Sequence, residues 1–188
     1  MTIKEIQQEI QSGNRVILVG MTKDTITTDG PLTGVVPLKA IVITDPIREN
    51  AKATFDYFKR EGVAIKVISG DNPATVAAIA KKAGLEGAEN YIDMSTIQTK
   101  EELERAANHY SVFGRVSPQQ KKMLVEALQK RGHKVAMTGD GVNDILALRE
   151  ADCSIAIAEG SDAARQVSQL VLLNSDFSSL PKVLAEGR

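Results

Sequence analysis

The stretch "KVAMTGDGVNDILAL", residues 134–148, starts as a short apolar strand, breaks at Gly139, sets Asp140, Asn143 and Asp144 close together, and then turns helical. Acidic side chains crowded on a tight loop repel one another unless a cation or a proton sits among them. A strand that runs into a polar loop and then a helix is half of a parallel strand–helix–strand unit. The same pattern recurs. "AIKVIS" (64–69) runs into Gly70-Asp71-Asn72-Pro73, with Asn72 as N-cap and Pro73 at the first helical position of a helix ending at Gly84. "VVPLKAIVIT" (35–44) runs into Asp45-Pro46 and a helix ending at Gly62.

Working outward, Thr2 and Glu5 form a capping box for a helix with Ile3, Ile6 and Ile10 on one face and Gly13 at its end. "RVILVGM" reads as a strand, and the turn-rich residues 22–34 as a hairpin or loop. Beyond residue 85 the order is a short strand at "NYID", a helix capped by Thr99 and Glu102, a strand at "SVFG", and a long helix capped at Ser117-Pro118-Gln119-Gln120 and ending at Gly132. After the acidic loop come the helix "ILALREA", the strand "SIAIA", the helix "SDAARQVS", the strand "LVLL" and a last helix in "FSSLPKVLAEG". The expected fold class is α/β, a mainly parallel sheet with helices on both faces. No internal repeat or low-complexity segment interrupts it.

Composition excludes several function classes. The net charge is −1 over 188 residues, without the basic stripe of a nucleic-acid binder. No Lys/Arg run exceeds two residues, and no apolar run approaches the roughly 20 residues that span a bilayer. Residues 1–12 are too acidic and amphipathic for a signal peptide. The single cysteine, Cys153, excludes an internal disulfide and is expected to pack as a small hydrophobe beside "SIAIA". In a parallel α/β sheet, ligands sit outside the carboxyl ends of the strands. Ser69-Gly70-Asp71 and Thr138-Gly139-Asp140 both lie there. Their hydroxyls and loop N–H groups could converge on one anion, although either turn alone would pass as ordinary turn chemistry.

"TGDGVND" together with "ADCSIAIAEGSDAARQVSQLVLLNSDFSSL" resembles the phosphorylation domain of cation-transporting P-type ATPases, members of the haloacid dehalogenase superfamily. "DPIR", "ISGDNPATVAAIAKKAGL" and "FGRVSPQQK" agree with it in order, so the resemblance spans about residues 35–180. It implies a Rossmann-like haloacid dehalogenase fold over residues 35–188, with residues 1–34 a remnant of the nucleotide-binding domain and its return hairpin. Asp140 and Asp144 would hold Mg²⁺, and Lys121 would point its ammonium at the phosphoryl oxygens. Ser69 and Gly70 would hydrogen-bond those oxygens, with Asn143 assisting. Asp71 and Arg115 fall near the nucleotide, and Asp45 and Arg48 at the domain hinge. For these four, turn capping and salt bridging stand as an equal alternative. Lys122, His109 and His133 are expected on the surface. The implied substrate is ATP. The implied partners are the remaining domains of a pump: nucleotide-binding, actuator and membrane helices. The implied place is the cytoplasmic side of a cell membrane, the chain itself being soluble. Asn143-Asp144-Ile145-Leu146-Ala147-Leu148 departs from the family's usual Asn-Asp-Ala-Pro-Ala-Leu, which leaves the Mg²⁺ chemistry intact and the transported cation open.

The family's nucleophile, the Asp of an Asp-Lys-Thr-Gly-Thr motif, has no counterpart in the chain. Asp24, three residues beyond "RVILVGM", lacks the motif and reads as a loop residue. The resemblance places the nucleophile strand between those matching "AIKVIS" and "KVAMT". Without it, two inner sheet edges would stand unpaired, at a cost in buried N–H and C=O groups. The expectation is that "RVILVGM", a strand swapped from another copy, or direct pairing of the neighbours fills the gap. Two further functions stay open: a stand-alone phosphatase of the same superfamily, which would rest on Asp24, and a non-enzymatic Mg²⁺/phosphate-binding module.

Overall fold

The computed structural model describes residues 2–25, 30–44, 46–174 and 176–186. The chain divides into two compact units, Met1–Pro46 and Ile47–Arg188.

The first unit holds α1 (Ile3–Gln11), β1 (Arg15–Met21) and β2 (Val36–Ile43). Thr2 and Glu5 form the expected capping box, and Gly13, at φ +84°, lets the chain leave the helix. β1 and β2 pair antiparallel, from Arg15 opposite Ile43 to Met21 opposite Val36. Both faces of this hairpin are apolar, and Ile17, Leu18, Ile41 and Val42 are all exposed. β2 pairs with β1 and so lies in the first unit, which runs to Pro46.

The second unit alternates helix and strand: α2 (Ala51–Arg60), β3 (Val67–Ile68), α3 (Pro73–Lys82), β4 (Tyr91–Asp93), α4 (Lys100–His109), β5 (Val112–Gly114), α5 (Pro118–Gln129), β6 (Ala136–Gly139), α6 (Ile145–Glu150), β7 (Cys153–Ile157), α7 (Asp162–Val167), β8 (Leu170–Leu172) and α8 (Leu180–Glu186). The caps read from sequence at Asn72, Thr99 and Ser117 all accept backbone N–H groups of their helices. All strand pairs in this unit are parallel.

Among the described residues these strands make two three-stranded sheets, β3-β5-β4 and β6-β7-β8, rather than the single sheet expected. β3 pairs only with β5, and β6 only with β7. Among the described residues two of the expected fillers do not close the gap: β1 is engaged with β2, and β3 and β6 do not pair with each other. With a partner on one side only, β3 shrinks to two residues where "AIKVIS" suggested six.

Helices join the two sheets from opposite faces. On one face, α5 sends Leu124 and Ala127 against Phe113 of β5 and Val125 against Met137 of β6. On the other, α2 sends Phe55 toward Val112 of β5 and Phe58 against Ile155 of β7 and Leu172 of β8. Ile65, just before β3, packs into both of the latter clusters. Val112 and Phe113 thus bury opposite faces of one strand, the signature of a sheet covered on both sides. Cys153 packs beside Phe58 and Ile155, as its sequence context suggested.

Candidate functional site

The site grows from the carboxyl end of β6. A Cβ on Gly139 would stand 2.6 Å from Asp144 Cβ, so only glycine lets the turn Val142–Asp144 fold the aspartate back beneath the strand end. Asp144 is 6% exposed. Its Oδ2 accepts the N–H groups of Asp140 (3.2 Å) and Gly141 (3.1 Å). Its Oδ1 accepts Lys121 Nζ at 2.6 Å. Lys121 sits in the first turn of α5, where the Ser117–Gln120 capping box fixes its start. The ion pair is nearly dry, with side chains 12% and 9% exposed.

Asp140 is exposed, and its carboxylate makes no hydrogen bond or ion pair among the described residues. Its backbone is pinned from below: its carbonyl accepts Ser161 N–H at 2.7 Å. Asn143, on the same turn, is exposed. The loop therefore offers one anchored carboxylate and one open carboxylate, side by side. No cluster of three or more His, Cys, Asp and Glu side chains able to hold a metal occurs among the described residues. Mg²⁺ does not need one, since it commonly takes one or two carboxylates and completes its shell with phosphate and water. This donor set fits such an ion.

The second polar turn follows β3. Ser69 is tied to both neighbours of β5's end, donating its N–H to Phe113 O (2.9 Å) and accepting Val116 N–H on its carbonyl (3.0 Å). Ser69 Oγ accepts Asp71 N–H at 3.1 Å and lies 3.3 Å from Asp71 Oδ2. Gly70 is exposed, with nothing within 4 Å of where a Cβ would stand, so the turn keeps open space beside its backbone.

Arg115 adopts φ +52°, the left-handed region that non-glycine residues seldom occupy. Two bonds hold it there: its N–H reaches Asp71 O at 2.8 Å, and Nη1 reaches Asp93 Oδ2 at 2.6 Å. Asp93 also accepts the Ser95 hydroxyl and N–H. That hydrogen bonding, with Arg115 adding its charge, holds the Asp93 carboxyl below the usual aspartate range. Arg48 pairs loosely with Asp176, at 3.9 Å, and Asn50 Nδ2 donates to the same carboxylate. Asp45 lies outside the described residues. Asp24 is held within the hairpin loop, accepting Thr33 Oγ1 at 2.7 Å.

The structure thus gathers Lys121, Asp140 and Asp144 at one loop and Ser69, Gly70, Asp71 and Arg115 at another. It gives Arg48 a separate partner. Sequence reasoning missed Asp93 and Asp176. Only the Asp93-x-Ser95 turn pattern hinted at the first, and nothing local signals the second. Asp152 stands between α6 and β7. It accepts Lys134 Nζ, Val135 N–H and Gln129 Nε2, tying the approach to β6.

Comparison with known proteins agrees with this architecture. A family profile described as haloacid dehalogenase-like hydrolase matches residues 1–152. The probable cation-transporting ATPase exp7 of Streptococcus pneumoniae is 49% identical over 188 residues, covering 99% of this chain and 24% of that protein. The calcium-transporting ATPase CtpE of Mycobacterium tuberculosis is 45% identical over 177 residues, covering 94% of this chain and 22% of that protein. The chain therefore spans about a quarter of the length of these curated relatives. Among solved structures, the catalytic domain of the CPx-ATPase CopB-B aligns with a TM-score of 0.58 and 26% identity, over 90% of this chain and 57% of that one. A zinc-transporting PIB-type ATPase in its E2.Pi state shares the fold, with a TM-score of 0.66 at 23% identity over 97% of this chain and 24% of that one. No helix among the described residues is long and apolar enough to cross a membrane.

Proposed function

The chain belongs to the haloacid dehalogenase-like hydrolases, and on that premise we propose that it is the Mg²⁺- and phosphate-holding part of the phosphorylation domain of an ATP-driven, cation-transporting P-type ATPase. Relatives named as cation-transporting ATPases, up to 49% identical, support the pump. The observation that carries the site is the buried Lys121–Asp144 pair with Asp140 open beside it.

In this proposal Asp140, with Asp144 behind it, holds Mg²⁺, which supplies neutralising charge to the oxygens of a transferring phosphoryl group when bound. Lys121 presents its ammonium to the same oxygens. Ser69 Oγ and the Gly70 N–H donate to them from the open side of their turn, and Asn143 assists. Asp71 and Arg115 serve the nucleotide side. Asp45 and Arg48 belong to the domain hinge, and residues 1–34 are a remnant of the nucleotide-binding domain. None of these residues replaces an attacking carboxylate. That group comes from another segment of the pump, seated as a parallel strand between β3 and β6. The one-sided pairing of both strands supports this place for it. The actuator domain and membrane helices complete the pump, and the chain works at the cytoplasmic face. Asp24 is a poor substitute nucleophile, because Thr33 already engages its carboxylate.

The test is incubation with Mg²⁺ and acetyl phosphate or labelled ATP, followed by acid quench and intact mass. The chain alone is expected to gain no phosphoryl group. Adding a peptide that carries the Asp-Lys-Thr-Gly-Thr strand is expected to give labelling that Lys121→Ala slows or abolishes. A hydroxylamine-sensitive phosphoryl group on the chain alone, lost in Asp24→Asn, would put the stand-alone phosphatase first.

A further inference from the structure

Beyond the pump itself, we propose that the groove along the outer face of α4 is a docking site for an extended acidic peptide segment bearing apolar side chains. The groove encloses about 730 Å³ and lies open to solvent. Its floor is apolar: Ile92 of β4, Ile97, Ala106 of α4 and Tyr110, all resting on the Phe113 core cluster. Arg105 and Arg131 line it and are exposed. It shares no residue with the Lys121–Asp144 site.

The nearby acids are already committed. Glu102 accepts the N–H groups of Gln98 (2.9 Å) and Thr99 (3.1 Å) at the start of α4. Glu104 pairs with Lys130 at 2.6 Å. Neither Arg105 nor Arg131 makes a direct side-chain hydrogen bond or close ion pair among the described residues; at longer range Arg105 faces Glu102, which also lines the groove, and Arg131 faces Glu104. Two guanidiniums over an apolar floor suit alternating carboxylate and apolar groups, because the guanidinium fork matches a carboxylate in two parallel hydrogen bonds. Small-molecule pockets bury most of their ligand, whereas this open groove fits a chain laid along it. Charge complementarity thus selects an acidic partner, and shape selects an extended one.

The test uses three fluorescein-labelled eight-residue peptides, alternating Glu/Leu, Lys/Leu and Glu/Ser, read by anisotropy on the full chain. The Glu/Leu peptide is expected to bind best and to weaken with added salt. Arg105→Glu/Arg131→Glu is expected to weaken it by about tenfold or more, equivalent to about 1.4 kcal/mol. Amide shifts are expected at residues 92–97, 105–110 and 131, and not at 138–144. Far-UV circular dichroism checks the fold, and Arg105→Gln/Arg131→Gln decides the matter if charge reversal disturbs it. No binding, equal binding by the Lys/Leu peptide, binding unchanged in both double variants, or full displacement by tripolyphosphate alone would each overturn the assignment.

Discussion

Replacing Lys121 with methionine should destabilise the second unit sharply, because it keeps the side chain's bulk and removes only the ammonium. Asp144 is 6% exposed, and its Oδ1 lies 2.6 Å from Lys121 Nζ. Removing one partner of a buried ion pair costs about 3–5 kcal/mol, since the other charge stays desolvated. The N–H groups of Asp140 and Gly141 remain and soften the loss by about 1 kcal/mol. The expected loss is therefore about 2–4 kcal/mol, or roughly a 1–2 M fall in urea midpoint. The converse change, Asp144→Asn, should cost less, because a lysine stripped of its partner can reach toward water. The double variant should lose less than the sum of the two, with a coupling energy above about 1 kcal/mol. Far-UV circular dichroism is the readout, as the sequence contains no tryptophan. A Lys121→Met variant within about 0.5 kcal/mol of the parent, or strict additivity, would refute the buried pair.

Phe113→Ala should cost about 3–5 kcal/mol by urea unfolding, since the ring is fully buried between α4 and α5. Gly114→Ala should cost at least about 2 kcal/mol, because its Cβ would fall 2.3 Å from Pro73 Cα and force α3 off β5. The Asp93 carboxyl titrates below its unfolded value, so its contribution is complete above about pH 3.9 and is lost as pH falls through the folded value. The Ser95 amide shift should follow that loss with a midpoint below about 3.9, and a midpoint at or above it would contradict the Ser95 and Arg115 bonds.

What the sequence disclosed was local. The capping boxes at Thr2, Thr99 and Ser117, the Asn72-Pro73 helix start and the tight Gly139 turn each depend on residues within a few positions of one another. Helix and strand order followed from them, and with that order the carboxyl-end placement of Ser69 and Asp140. What stayed hidden was non-local. That "AIKVIS" would keep only Val67–Ile68 as strand depends on β3 having one neighbour, which no residue within it encodes. The partners of Arg115 and Arg48, namely Asp93 and Asp176, lie far off in sequence and meet only through the fold. The Lys121–Asp144 contact lies between these cases: the motifs named both residues, and only the packing of α5 against the β6 loop brought them to 2.6 Å.

The most direct measurement of the central claim is an amide NMR titration of the chain with Mg²⁺ in the presence of inorganic phosphate. The Mg²⁺/phosphate half-site predicts that residues 138–144 shift first, that residues 69–70 shift with them, and that Asp140→Asn abolishes both responses while leaving the rest of the spectrum in place. Shifts confined to other surfaces, or a response at 138–144 that survives Asp140→Asn unchanged, would contradict it.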